Sequence, residues 1–417
     1  MTHLTYLEAA VVGLIQGVTE LFPVSSLGHN VLIPALIGGS WARDLNVSAT
    51  ESPYLAFIVG LHVATAIALL IYFWRDWVRI TKGFFSSLGQ IIRPAVGSSR
   101  WDLQPDEQLA WLIILATIPV GLAGLAFEHA FRVIFGKPAY AAVFLIINGL
   151  ILLAGERFRS RASLQADAQV AAEREYALAG AYPGEEQHYR TQDGYYRDDG
   201  GDRGYGGHYR DDYRDQGHGG HYRDDYRDQG YGGHYQDDYR DRDYDRYYRD
   251  EGRHYQEEAR QYPGEARHAS GSRALRAEEL EIAAASDERL SAMGPLQAVV
   301  IGSAQVVALL AGISRDGVTM VAGMTRGLSR EDSARFAFLL ATPVILAAGA
   351  LKIPDLMGPL GSGIHGQVLV GSILSGVGAY ISVRFLTRYF MTRTLTPFGI
   401  YCLVAGLGSL VYLQLIK

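Results

Sequence analysis

Long apolar runs dominate the chain, and one long stretch lacks aliphatic side chains altogether. Six runs, at about 53–73, 109–127, 139–155, 333–351, 367–385 and 398–416, approach the ~20 residues a bilayer core requires, and each predicts a transmembrane helix. Two further apolar stretches are broken near their centres. In 4–38 the break reads Phe22-Pro23-Val24-Ser25-Ser26-Leu27-Gly28-His29, and in 295–325 it reads Ala311-Gly312-Ile313-Ser314-Arg315-Asp316-Gly317. Irregular polar backbone survives at membrane depth only where protein encloses it, so both stretches predict re-entrant helix hairpins. Between Leu178 and Leu275 no Val, Ile, Leu, Met, Phe or Trp occurs. The pattern predicts an all-α integral membrane protein. It has six transmembrane helices, two re-entrant hairpins and an insert, divided as 1–157, 158–292 and 293–417.

The two broken stretches resemble each other. Setting Gln16 on Gln305 also sets Gly13 on Gly302, Leu21 on Leu310, Ser25 on Ser314 and Gly28 on Gly317. Each hairpin is followed by three spans. An odd number of crossings turns the second copy over, so the expectation is an inverted repeat whose hairpin tips meet near mid-membrane. Basic residues orient it. Arg75, Arg79, Lys82, Arg93, Arg100, Arg157, Arg159, Arg161, Arg326, Arg330, Arg384, Arg388 and Arg393 fall on one side. Arg43, Arg132, Lys137, Lys352 and Lys417 fall on the other. The richer side is expected to be cytoplasmic, with both termini outside.

Composition changes this picture little. The averages of 48% hydrophobic and 20% charged residues would suit a soluble protein, but they blend two unlike materials. The insert repeats His208-Tyr209-Arg210-Asp211-Asp212-Tyr213-Arg214-Asp215-Gln216-Gly217 from His221 and, with changes, from His234. Such a segment cannot bury enough apolar surface to offset the entropy of ordering, and is expected to be a disordered, cytoplasmic loop expansion. Its Tyr and Arg residues suit weak cation–π self-association, and its histidines make metal binding a lesser alternative. One cysteine, Cys402, excludes intrachain disulfides and CxxC sites. No basic block suits nucleic acid. The start of the chain does not read as a cleavable signal, because Glu8, Gln16 and Glu20 interrupt its apolar run.

Ionisable groups inside a bilayer are costly and are functional candidates by default. Gly13, Gln16, Gly17 and Glu20 share one helical face; the glycines admit a ligand or another helix, and Gln16 and Glu20 offer oxygens. An interhelical hydrogen-bond stripe is the alternative. Pro23 ends the first half-helix, and Ser25 or Ser26 caps the next, making an anion site of its N-terminus. His29, one turn in, suits acid–base or nucleophilic work. Arg315 needs an anionic partner, a bidentate phosphate or else a carboxylate such as Glu20. Together these groups make a phosphoryl-transfer inventory, with a divalent cation expected on the carboxylate. There is no Walker A loop, so the phosphate is expected on a lipid.

The motifs Gln16-Gly-Val-Thr-Glu20, Pro23-Val-Ser-Ser-Leu-Gly-His29, Gly312-Ile-Ser-Arg-Asp-Gly-Val-Thr319 and the tract Ser333–Pro343 resemble those of the bacterial undecaprenyl-diphosphate phosphatases of the bacitracin-resistance type. The resemblance covers the membrane parts and not the insert. It implies hydrolysis of the terminal phosphate of a C55 isoprenoid diphosphate, recycling the carrier for cell-wall synthesis. The implied setting is the outer face of the cytoplasmic membrane, with Mg²⁺ or Ca²⁺ as cofactor. By position, Glu20 would bind metal or act as base, and Ser26 or His29 would attack or shuttle protons. Arg315 would grip phosphate, and Ser25, Ser314 and Thr319 would donate hydrogen bonds. Gln16 and Asp316 join Glu20 as metal candidates. Ala311 and Asp316 depart from the family's usual Pro and Ser, and Asp316 alters the local charge. Expected partners are the lipid substrate and the bilayer, with a homodimer left open and no nucleic acid. The competing classes are a polyprenyl-phosphate transporter, since broken inverted repeats also build carriers, and a scaffold acting through its insert.

Overall fold

In the computed structural model, residues 4–45, 53–92, 103–135, 137–181, 283, 285–358 and 363–416 are described, and the repeated Tyr/Arg/Asp segment lies outside them. The expectation that this segment is disordered therefore falls outside the described residues. Every regular element among the described residues is helical. The helices are α1 (Tyr6–Thr19), α2 (Ser26–Ile37), α3 (Gly39–Asp44), α4 (Pro53–Tyr72), α5 (Trp74–Ile92), α6 (Pro105–Phe135), α7 (Pro138–Arg157) and α8 (Arg161–Ala181). After the insert come α9 (Ala285–Ser291) and α10 (Pro295–Ser303), a 3₁₀ segment (Ala304–Leu309), then α11 (Arg315–Thr325), α12 (Arg330–Met357), α13 (His365–Thr392) and α14 (Thr396–Ile416).

Five of these helices are long and apolar enough to cross a membrane, and the number rises to as many as seven if bent pairs count as spans. The five contain five of the expected spans. The sixth, 53–73, is α4, which reaches the threshold only together with α5, across a bend of 85°. Their outward faces carry Leu122, Leu125, Ile373, Ile381, Val404 and Val411, all exposed, as lipid contact requires. Both interrupted stretches break where expected. α1 opens with a capping box between Thr5 and Glu8 and stops at Glu20, before Pro23; α2 begins at Ser26.

Two expectations need correction. The segment after the first span, expected as a loop, is helix α5. Trp77, Ile80 and Phe84 fall on one face and pack on α6, where Trp111 Nε1 donates to Ser87 Oγ at 2.9 Å. Its opposite face is too polar for a span, so its 3.6-residue period is hidden from a search for uniformly apolar runs. The expected disordered insert, 158–292, is also too wide, because α8 and α9 lie inside it. Val170 and Leu290 are buried. Asp167 pairs with Arg159 at 2.6 Å and Arg330 at 3.1 Å, and Arg174 pairs with Glu331. Asp287 joins Arg79 at 2.6 Å and Arg335 at 2.7 Å.

Packing of the hairpins depends on missing side chains. A Cβ on Gly13 would collide with the backbone of Gly371 in α13, and one on Gly302 with the backbone of Ala116 in α6. α1 therefore lies against α13 and α10 against α6, while α7 pairs with α14.

Candidate active site

Glu20 caps the C-terminus of α1 and is buried. Its Oε2 accepts from Gln16 Nε2 at 2.7 Å and from Ser26 Oγ at 2.5 Å. Its Oε1 accepts from Arg315 Nη2 at 3.0 Å. Arg315 thus comes from the second hairpin to pair with a carboxylate of the first. Its Nε donates to Asp316 Oδ1 at 3.2 Å, so one guanidinium bridges two buried carboxylates. Gln16 is used at both ends, its Oε1 accepting from Asn30 Nδ2 at 2.5 Å.

The hairpin tips meet through backbone. Ser25 caps α2 by accepting from Gly28 N at 3.2 Å, and the same Oγ accepts from Gly312 N of the other tip at 3.2 Å. A Cβ on Gly28 would stand 2.9 Å from Gly312 Cα, closer than real Cβ contacts come. Ser25 has φ +69°, the left-handed region that a non-glycine residue adopts at a cost. Ser314 caps α11 in the same way, accepting from Gly317 N at 3.2 Å. The helix starts at Ser26 and Arg315 therefore lie side by side, and helix N-termini favour an anion. Thr319 Oγ1 is turned back onto the Arg315 carbonyl at 2.8 Å.

His29 stands apart from the carboxylate. Its Nδ1 lies 2.7 Å from the Ser25 carbonyl and its Nε2 2.7 Å from the Tyr401 hydroxyl of α14. A carbonyl only accepts, so Nδ1 carries the proton and Nε2 receives the phenol's hydrogen bond.

Sequence reasoning missed four residues of this arrangement. Asn30 holds Gln16. His62 of α4 brings Nε2 to 3.4 Å from Glu20 Oε2. Asn148 of α7 ties both tips together, its Oδ1 accepting from Ser314 N at 2.9 Å and its Nδ2 donating to the Pro23 carbonyl at 3.0 Å. Tyr401 holds His29. A histidine and an asparagine inside apolar runs were signals available in the sequence. A tyrosine near a helix end gives none.

A divalent cation has a partial donor set here. Asp316 Oδ2 is buried without a hydrogen-bond partner in the protein. Glu20 and Asp316 outnumber the one guanidinium between them. Among the described residues no group of three or more His, Cys, Asp or Glu is arranged around a metal position. This chemistry fits a hard cation that completes its shell with substrate phosphate oxygens, as Mg²⁺ commonly does.

The family model for bacitracin resistance protein BacA matches residues 9–181 and 270–408. The match thus runs into both flanks of the insert. The chain is 49% identical over 413 residues to an undecaprenyl-diphosphatase of Mycolicibacterium paratuberculosis, covering 99% of each. It is 44% identical to undecaprenyl-diphosphatase 2 of Frankia alni, with 97% of each covered. With undecaprenyl-diphosphatase 2 of Chromobacterium violaceum it shares 31% identity, over 97% of this chain and 98% of the relative.

Proposed function

The chain belongs to the bacitracin resistance protein BacA family, and from that premise we propose that it hydrolyses undecaprenyl diphosphate to the monophosphate and phosphate, with Ser26 as nucleophile and Glu20 as its base. The observation that carries the assignment of roles is the 2.5 Å hydrogen bond from Ser26 Oγ to Glu20 Oε2. His29 is the weaker nucleophile candidate, because both of its ring nitrogens are engaged. Ser26 Oγ attacks the terminal phosphorus while its proton passes to Glu20. The bond from that phosphorus to the bridging oxygen breaks, and the lipid monophosphate departs. Water then cleaves the phosphoserine: its hydroxyl goes to phosphorus, its other proton returns to Ser26 Oγ, and Glu20 yields the first proton to the released phosphate. Arg315 and the N–H groups opening α2 and α11 face the charge that accumulates on the transferred group. His29 manages protons beside them.

Asp316 and Glu20 would hold a divalent cation, which would neutralise the charge that a diphosphate brings to this acidic pair. That Arg315 bonds to both carboxylates supports their acting together. The two halves are read as an inverted repeat. The matched caps Ser25 and Ser314, and the exchanged packing of α1 on α13 and α10 on α6, support that reading. The chemistry is not duplicated, since Leu309 and Val318 stand where the repeat aligns Glu20 and His29. The setting is the bacterial cytoplasmic membrane, with the site open to the outside and the ion-paired ends of α5, α8 and α12 cytoplasmic. The test is phosphate release from C55 diphosphate by purified protein, with EDTA and then with Mg²⁺ or Ca²⁺ restored. Release that EDTA abolishes and the ion restores is expected. Release unaffected by EDTA would remove the cation, and no release at all would remove the phosphatase.

A further inference from the structure

Tyr401 belongs to the last helix, far in sequence from every motif, yet its hydroxyl lies 2.7 Å from Nε2 of His29. The two rings run nearly parallel, at 6°, with centroids 5.8 Å apart. His29 is buried, and its Nδ1–H is committed to the carbonyl of Ser25, one turn back in its own helix. That bond fixes the tautomer and leaves Nε2 as the one nitrogen able to exchange a proton. Tyr401 is the side chain that meets it. Other chemistry-bearing groups nearby are already spoken for. Glu20 serves Ser26, Gln16 and Arg315, and Cys402 receives the Asn148 amide at 3.3 Å.

We propose that Tyr401 is a positioning residue for the hydrolysis, holding Nε2 of His29 in the direction that the reaction uses. The proposal rests on the phosphatase reading. It assigns to α14 a part in catalysis as well as in packing against α7. Without the phenol, the Nε2 lone pair has no fixed partner, and the imidazole can tilt about the Nδ1–H bond to Ser25 that alone still holds it.

Tyr401→Phe keeps the ring and removes the hydroxyl alone. Hydrolysis of C55 diphosphate is measured for the wild type, Tyr401→Phe, His29→Ala, the double variant and Ser26→Ala, each checked for monodispersity and melting temperature in detergent. Tyr401→Phe is expected to lower kcat about tenfold, with KM within about twofold. In the His29→Ala background the same change is expected to cost nothing further, because Tyr401 acts through His29. Wild-type kcat in Tyr401→Phe would overturn the proposal. An equal loss in both backgrounds would also overturn it, because a structural role adds independently. A rise in KM alone would point to substrate contact and end it too. An active wild type with an inactive Ser26→Ala keeps the phosphatase reading whatever Tyr401 does, whereas an inactive wild type sinks both.

Discussion

Glu20 accepts from both Ser26 and Arg315, so removing it strands a buried hydroxyl and leaves the guanidinium to Asp316 alone, while removing either donor costs the carboxylate one partner. Glu20→Ala, Arg315→Ala and His29→Ala are each expected to lose at least ~100-fold in turnover, the scale for removing an acid–base group or a transition-state charge partner. Steady-state hydrolysis at matched protein levels checks this, and wild-type turnover in His29→Ala would take it out of the mechanism. Asp316→Ser is expected to raise the Mg²⁺ or Ca²⁺ concentration needed for half-maximal rate. An unchanged titration would separate Asp316 from the cation. At this scale the motif residues were legible in the sequence, because a carboxylate, a histidine and an arginine inside apolar stretches have few bland explanations. Their pairing was legible only as one of two readings, because Glu20 stood beside phosphate as a partner for Arg315. Arg315 reaches Glu20 across 295 positions, and only the likeness of the two broken stretches, not any local pattern, brings them together in the sequence.

Among the elements, α7 is the least conspicuous and holds the site together. Asn148 bonds Pro23 of one tip and Ser314 of the other, so Asn148→Leu strands a buried N–H and leaves the buried Pro23 carbonyl only the weak Cys402 thiol at 3.9 Å. A cost of ~1–3 kcal/mol for an unsatisfied buried group predicts lower thermal stability and lower kcat together. Gly302→Leu drives a side chain into the backbone of α6 and is expected to destabilise by ~1–3 kcal/mol or prevent folding, read from thermal unfolding in detergent. A melting temperature equal to wild type in both variants would contradict the packing described for the hairpins. The spans and both helix breaks were readable from hydropathy and from Pro23, Ser25 and Ser314. Helices α5 and α8 were not, since each carries enough charge to fail a search for apolar runs, and α8 is held by ion pairs to Arg159, Arg330 and Glu331.

Across the whole molecule, the helical flanks and the repeated segment between them separate cleanly by composition. Deleting 165–285 removes Asp167, Val170 and Arg174, which tie α8 to the bundle, and is expected to lower stability. Deleting 182–282 removes none of these ties and is expected to leave specific activity within a few-fold. Equal losses from the two deletions would mean that the repeated segment itself serves the fold or the reaction. External protease should spare the insert in intact cells, and cleavage there would invert the orientation. The most direct measurement is phosphate release from undecaprenyl diphosphate in detergent by the wild type and by Ser26→Ala, both folded by thermal unfolding. The account predicts turnover by the wild type and a loss of at least ~100-fold in Ser26→Ala, the scale for removing a group that acts on the transition state. Undiminished release by Ser26→Ala would contradict it.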